Sequence, residues 1–514
     1  MREAARHPQF SIAPYKERNG APMLLPAFLL MAGAVVCLLL WMVGFGQTNF
    51  RIERPYLIPW VIATGIVIAA PSVYLKYKGE FSFTNPLVFA GLTYFLPVFF
   101  IGGWSLTFGL SSYYFLNYIA DPEYNFPLAF VYIMLAYAGL SVGYFIPAGK
   151  SVGNYAAIWL PKWEFELGEI VLGCVVFLIV GFSLNLLALE AGQIGYQANE
   201  FILGDSGSLA LYLTVVLPAT SFLLWIPFFK FERWGLVHIV IVAAQGLTAA
   251  FFLLVRGGKS ALLLSAILAI GAYVLTKRKI SAKHWAIFAA VLAVCLIAGT
   301  IYGTKFRATK GTTDRISVSE YGAIAFESIG SLGDESLTAQ LDESFEVLAN
   351  RLEVVSAFAV VVSNHEALSS YEASYGLENN IWTYTWTAFI PRLVWKDKPI
   401  IADGFAYNEL YFDHGSYGLS ITAMGDLLRN FGPIGVPVGM IILGFAIRIF
   451  YAALVEGLPF SAWRSTLYFM VLIKISYDGF YGDILPTVIR ISAIIFVQFL
   501  IIYFVIRFLR HMRR

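Results

Sequence analysis

Residues 167–189 read LGEIVLGCVVFLIVGFSLNLLAL, with Glu169 as the only charged side chain. A run of about 20 apolar residues is long enough to cross the hydrocarbon core of a bilayer as an α-helix. Such runs recur along a chain that is 59% hydrophobic and 13% charged, against about 25% charged residues in a soluble domain. We therefore expect an all-α polytopic membrane protein with about twelve transmembrane helices. The other candidate spans lie near residues 23–46, 57–75, 86–104, 127–147, 208–229, 235–255, 260–276, 285–303, 433–453, 464–482 and 487–508.

Lysine and arginine residues cluster on one side of these predicted spans. If the spans alternate in direction, most basic clusters in the short loops and both basic ends of the chain fall on the same side. Short cytoplasmic loops carry an excess of Lys and Arg, so we expect both termini in the cytoplasm and the protein in the cell (inner or cytoplasmic) membrane. This topology predicts a cytoplasmic segment at 1–22, about nine transmembrane helices in 23–303, a large extracytoplasmic loop with amphipathic and interfacial helices at 304–432, about three transmembrane helices in 433–508 and a basic cytoplasmic tail at 509–514.

The composition argues against several classes of protein. A formal net charge of +2 on 514 residues does not give the basic surface of a nucleic-acid-binding protein. Cys37, Cys174 and Cys295 lie in apolar runs without a nearby histidine, so neither a zinc site nor a disulfide framework is expected. The sequence also lacks a P-loop, a Gly-x-Ser-x-Gly nucleophile elbow and a His, Asp and Glu cluster at metal-ligand spacing. We expect a protein that needs neither a metal ion nor a cofactor.

The predicted outer loop contains a basic run beside an aromatic segment. Residues 391–399 read PRLVWKDKP and supply Arg392, Lys396 and Lys398, and residues 381–390 are rich in Trp and Tyr, which favour the headgroup region of a bilayer. The planar fork of arginine matches phosphate oxygens and lysine adds a point charge, so the run suits a diphosphate. An interfacial anchor, whose basic side chains extend toward lipid headgroups, explains the same pattern.

Other charged residues are candidates for the same site. Arg256 and Lys259 flank two glycines in a turn on the predicted outer side, where basic residues oppose the orientation rule and favour a bound anion; a turn with side chains that extend to the membrane surface is the alternative. Arg351 on a predicted amphipathic helix is a further candidate, with a solvated face as its alternative. Four ionisable residues lie in the predicted eleventh span or near its outer boundary: Lys474, Asp478, Asp483 and Arg490. They form either part of a polar cavity or a neutralised structural pair. Candidates for a general base that deprotonates an acceptor hydroxyl are Asp403, Asp413, His414 and Asp426.

Three segments resemble the signature of Wzy-type polysaccharide polymerases, also called O-antigen or oligosaccharide repeat-unit polymerases. They are FIPRLVWKDKP at 389–399, GLSIT at 418–422 and GDLLRNFGPIG at 425–435. The turn RGGKS at 256–260 and the segment TNPL at 84–87 are also similar to family features. The resemblance implies a GT-C-like membrane glycosyltransferase that polymerises polyprenyl-diphosphate-linked oligosaccharide repeat units into a cell-surface or exported polysaccharide, without a metal ion.

The resemblance also implies partners and roles for particular residues. Partners would be the lipid-linked oligosaccharide, membrane lipid, and possible chain-length regulator and flippase proteins of the cell envelope. Catalytic roles are predicted for Arg392, Asp426 and His414. Diphosphate or glycan binding is predicted for Arg256, Lys259, Arg351, Lys396, Lys398 and Arg490. Two alternatives remain open: a ligase that moves a lipid-linked glycan to a lipid or protein acceptor, and a transporter or flippase of lipid-linked sugars.

Overall fold

The computed structural model describes residues 52–111, 113–190, 194, 214–231, 235–256, 259–276, 281–310, 318–331, 347–390, 395, 398, 404–413 and 419–512. Helices account for most of these residues, and no strand occurs among them. The predicted all-α class is therefore confirmed for the described part of the chain. In chain order the helices are α1 (Ile58–Tyr77), α2 (Pro86–Thr107), α3 (Pro122–Phe145), α4 (Pro147–Trp159), α5 (Leu167–Glu190), α6 (Val216–Lys230), α7 (Leu236–Arg256), α8 (Lys259–Thr276), α9 (Ala282–Lys310), α10 (Val318–Gly330), α11 (Val355–Leu368), α12 (Asn380–Thr387), α13 (Gly404–Phe412), α14 (Ala423–Leu454), α15 (Ala462–Leu472) and α16 (Ile484–Met512).

Eight helices in the described ranges are long and apolar enough to cross a membrane. They are α1, α2, α3, α5, α7, α9, α14 and α16, and the apolar helices α6, α8 and α11 are shorter. This pattern is that of a multi-pass membrane protein. The predicted span at 23–46 lies outside the described residues, so the total of about twelve spans stays a prediction. Helix α9 ends at Lys310 and α14 begins at Ala423, so both helices extend into the range expected for the large loop.

The predicted span at 464–482 is wrong as a continuous helix, because α15 ends at Leu472. The backbone after it is irregular and pairs with the segment that leads into α14: Thr422 N–H donates to the Asp478 carbonyl over 3.1 Å, and Ala423 N–H donates to the Tyr477 carbonyl over 2.9 Å. Irregular backbone at membrane depth needs such protein partners. Lys474 and Asp478 consequently do not face each other one helical turn apart, and the Asp478 carboxylate accepts a hydrogen bond from the Ser420 hydroxyl instead.

Helices α3 and α14 make the most extensive helix contact of the described residues, and glycines allow it. A methyl group placed on Gly143 of α3 would lie 2.0 Å from the Ile441 carbonyl oxygen, and one on Gly444 of α14 would lie 2.1 Å from the Leu140 carbonyl oxygen. Gly139, one helical turn before Gly143, also meets the backbone of α14. Small residues let membrane helices approach closely and gain dispersion energy. This crossing fixes α14 in the bundle.

Gly432 divides α14 into two segments. Its φ of 67° and ψ of −167° lie outside the helical region and favour glycine. Pro433, which follows, cannot donate a backbone hydrogen bond. The first segment, 423–431, is largely buried and begins at an N-cap in which the Thr422 hydroxyl accepts from Gly425 N–H over 3.0 Å. The second segment, 433–454, packs on α3 and α4.

Candidate functional site

A buried cluster of charged side chains joins the first segment of α14 to the loop between α11 and α12. Arg429 donates through Nη1 to Glu372 Oε2 over 2.9 Å and through Nη2 to Asp426 Oδ1 over 2.8 Å. The same Nη1 also donates to the Leu377 carbonyl over 2.8 Å. The side chains of Arg429 and Asp426 are 0% exposed and that of Glu372 is 6% exposed. Charges at such depth are costly unless they are paired and hydrogen-bonded, and here both conditions hold.

Asp426, a predicted catalytic residue, has both carboxylate oxygens bound by protein groups. Besides Arg429, Oδ1 accepts from the side-chain amides of Asn380 over 3.3 Å and Asn430 over 3.1 Å. Oδ2 accepts from Gly482 N–H over 3.1 Å. A carboxylate with this many donors is fixed in position and holds its neighbours in place. The arrangement favours a positioning role for Asp426, and its assignment as a general base stays a prediction.

Glu372 is the second carboxylate of the cluster. Its Oε1 accepts from the Tyr411 hydroxyl over 2.8 Å, which brings α13 into contact with the cluster. Burial raises the pKa of Glu372 above its ordinary value, while the nearby Arg429 guanidinium opposes that rise. The cluster thus links five parts of the fold: the loop that contains Glu372, α12, α13, α14 and the turn at Tyr481–Asp483.

An apolar groove lies next to the charged cluster. It has a volume of about 650 Å³ and runs between α14, α15 and α16, with α12 and the Tyr481–Asp483 turn at one end. Gly482 lines the groove and also donates its N–H to Asp426. Gly482 therefore contacts both the groove and the charged cluster. Other residues that line the groove include Ile381, Trp382, Ile434, Val438, Ile442 and Leu485.

Lys398, predicted to bind a diphosphate, lies at the C-terminal end of α12. Its ammonium group donates to the Thr387 carbonyl over 2.8 Å and to the Ile390 carbonyl over 3.0 Å, and the residue is 9% exposed. A lysine at this position satisfies carbonyl groups that the helix leaves open and complements the helix dipole. The rings of Trp386 and Trp395 stack with centroids 5.6 Å apart. Trp395 and Lys398 of the basic run thereby contact α12 and the residues that follow it.

The remaining predicted site residues fall into two groups. Arg392, Lys396, His414 and Asp403 lie outside the described residues, and the side chains of Arg256 and Lys259, at the ends of α7 and α8, are also outside them. The described residues do not bring Arg351, Asp413 or Arg490 into the charged cluster. Arg351 and Asp413 are exposed. Arg490 of α16 donates to the Thr487 hydroxyl over 3.0 Å, and that hydroxyl donates over 3.1 Å to Asp483 in the turn just before the helix.

Sequence reasoning missed Glu372, Tyr411 and the pairing role of Arg429. One signal was present: Asp426 and Arg429 are three residues apart at the start of an apolar span, a spacing that places them on one helical face. Buried ionisable residues in membrane segments are usually paired. Glu372 is 57 positions from Arg429, and nothing in the sequence between them indicates that contact.

No protein-family model, curated protein or solved structure matches this chain. The similarity to Wzy-type polymerases therefore rests on the sequence motifs alone, chiefly on the three segments at 389–399, 418–422 and 425–435. Two of these segments adjoin the site: 389–399 follows α12, and 425–435 contains Asp426 and Arg429. Among the described residues, no three His, Cys, Asp or Glu side chains are grouped as metal ligands. Independence from metal ions stays a prediction that chelation can test.

Proposed function

We propose that the protein is an integral-membrane glycosyltransferase that polymerises polyprenyl-diphosphate-linked oligosaccharide repeat units into a cell-surface or exported polysaccharide. The observation that carries this proposal is the apolar groove, which is lined by α12, the helix before the motif segment 389–399, and by Leu427 and Phe431 of the motif segment 425–435. A lipid-linked sugar needs an apolar channel for its chain and a polar site for its head group, in continuous contact. The apolar groove and the basic run at 391–399, which follows α12 in the sequence, would supply that combination.

The groove suits a long hydrocarbon chain that arrives from the bilayer. Its lining is almost wholly apolar, and three of its wall residues, Ile434, Val438 and Ile442, are exposed on the surface of α14. In a membrane such a surface faces lipid, so the groove is reached laterally. Lipid tails are as apolar as the groove, so a polyprenyl chain gains little free energy when it moves from the lipid tails into the groove. The groove would therefore orient the chain, while affinity would come from the diphosphate and the sugars.

The polar end would hold the diphosphate. In the proposed reaction the glycosyl carbon of the growing chain leaves its diphosphate and bonds to a hydroxyl of the next lipid-linked unit, and the hydroxyl proton passes to a base. Fixed arginine and lysine donors stabilise the charge that develops on a diphosphate leaving group. We assign this role to Arg392, with Arg256, Lys259 and Lys396 as further ligands, and we assign the base to His414. Asp426 would keep α12 and the Gly482 turn in place.

The test is a reconstituted reaction. Purified protein in liposomes is supplied with a polyprenyl-diphosphate-linked repeat unit, and the products are separated by length. Products of increasing length support a polymerase. A single transferred product on an added acceptor indicates a ligase, and movement of the unchanged substrate across the bilayer indicates a transporter.

A matched pair of substitutions tests the role of the groove in that reaction. Val438→Trp places an indole at a groove residue that is 47% exposed, and Val497→Trp makes the same change at a residue of α16 that is 50% exposed and does not line the groove. We expect Val438→Trp to slow chain growth by about tenfold or more, because small displacements of a substrate have large effects on rate. We expect Val497→Trp to leave it unchanged. Equal rates for the two variants would contradict the use of the groove.

A further inference from the structure

Helix α12 is held at both ends. At its N-terminal end Asn380 donates to Asp426, and the carbonyl of Leu377, just before the helix, accepts from Arg429. At its C-terminal end Lys398 binds two carbonyl groups. The side chains of Ile381, Trp382 and Thr385 from this helix line the groove. The position of α12 therefore sets the shape of one end of the groove and the point from which the basic run begins.

Hydrogen bonds hold the loop that leads into α12. Within the loop, Leu377 N–H donates to the Glu372 carbonyl over 2.9 Å. Gly376 and Asn379, with φ of 68° and 52°, belong to the residue types that adopt the left-handed conformation most readily. From outside the loop, Arg429 donates to the Glu372 carboxylate and to the Leu377 carbonyl, and these two contacts attach the loop to α14.

From this geometry we propose that Glu372 and Arg429 are positioning residues, whose ion pair fixes the N-terminal end of α12 beside the groove. The link to chemistry rests on the proposed function, whereas the link to the position of α12 does not. Neither residue needs to touch substrate. Arg429 acts as the bridge because its guanidinium reaches Glu372 and Leu377 in the loop and Asp426 in α14 at once.

Hydrogen exchange measures the positioning directly. In the full-length protein in nanodiscs, Glu372→Ala should raise amide exchange in peptides from 377–390 by about tenfold or more, because a charge-assisted hydrogen bond that restrains this segment is lost. Exchange in 433–454, which packs on α3, should stay as in the unsubstituted protein. Tyr411→Phe removes only the hydroxyl that donates to Glu372 and should raise exchange in the same peptides by a smaller factor. The control is Glu366→Ala, which removes an exposed carboxylate of α11.

Kinetics with the lipid-linked repeat unit separates positioning from general destabilisation. Glu372→Ala should lower kcat by about tenfold or more and change KM by less than about threefold, because the misplaced groups act on the transition state. Glu372→Gln keeps an oxygen that accepts from Arg429 and should restore kcat to within about threefold of the unsubstituted protein.

The outcomes distinguish this inference from the proposed function. Unchanged exchange in 377–390, or an equal rise in 433–454, would overturn the positioning role whatever the enzyme does. A local rise in exchange together with unchanged kcat would overturn the link to chemistry. If the unsubstituted protein lengthens no glycan while exchange rises locally, the proposed function fails and the positioning of α12 by the ion pair stands.

Discussion

Replacing Gly143 with alanine should destabilise the protein by forcing α3 and α14 apart. The new Cβ would lie 2.0 Å from the Ile441 carbonyl oxygen, whereas ordinary contacts begin at 3.4 Å, so the helices would have to separate by about 1.4 Å or bend. The obstacle is backbone, which cannot rotate away as a side chain can. Overpacking of this kind costs about 1–3 kcal/mol, and the upper end of that range applies because Gly444 makes an equally close backbone approach at the same crossing, 2.1 Å from the Leu140 carbonyl oxygen.

The assay is thermal unfolding of the detergent-solubilised protein, followed by size-exclusion chromatography with fluorescence detection. A loss of about 2–3 kcal/mol should lower the apparent melting temperature by about 2–3 °C in a chain of this size. Gly246→Ala is the matched control, because it is the same change in membrane helix α7 and no atom lies within 4 Å of the added methyl group. Melting temperatures for the two variants that agree within about 1 °C would refute the close α3–α14 crossing.

Three further predictions concern charge, capping and catalysis. Burial raises the pKa of Glu353 from 4.5 to about 7, so its stabilising contribution is complete below about pH 4.5 and is lost as the pH rises through 7; the loss amounts to about 3 kcal/mol. At pH 5, Glu353→Gln should therefore melt at about the same temperature as the unsubstituted protein. At pH 8, Glu353→Gln should melt at a higher temperature than the unsubstituted protein. A difference in melting temperature between the two proteins that does not change with pH would show that Glu353 titrates normally. Asn85 caps α2 by accepting from Leu87 N–H over 3.0 Å, so Asn85→Ala should cost about 1–2 kcal/mol in thermal unfolding, and unchanged stability would argue against this cap. Arg392→Ala should abolish long polysaccharide while the protein stays folded and inserted, and full-length polymer from this variant would remove Arg392 from the site. EDTA should not affect the activity of the unsubstituted protein. Loss of activity in EDTA that a divalent ion restores would show a metal requirement.

Much of the membrane architecture was predictable from the sequence, because uninterrupted apolar runs leave the backbone few options other than a helix. The run at 57–75 corresponds to α1 and the run at 167–189 to α5, each within about two residues. The prediction of one continuous helix at 464–482 was wrong, because hydropathy does not reveal irregular backbone that is stabilised by other parts of the protein. After Leu472 the chain exchanges helical hydrogen bonds for contacts with Thr422 and Ala423.

The candidate site was only partly predictable. The motif around Asp426 and Arg429 was visible, and the structure brings that motif together with the segment 380–390. The contact of the Lys398 ammonium group with backbone carbonyls at the end of α12 was not predicted, and the part of Lys398 in diphosphate binding stays a prediction. Glu372 was missed, because a lone carboxylate in a loop has no pattern that indicates a partner far along the chain. Contacts between distant segments determine the site, and a single sequence contains little information about them.

The most direct test of the proposed groove is photolabelling with a polyprenyl diphosphate that carries a photoreactive group in the middle of its chain. The protein is labelled in liposomes, and the labelled positions are mapped by mass spectrometry with and without excess unlabelled polyprenyl diphosphate. We expect labels on Val438, Ile442 and Leu485, which line the groove, and we expect the competitor to remove them. Labels that are spread equally over lipid-facing residues such as Val497, or that persist with the competitor, would contradict a lipid-carrier site in the groove.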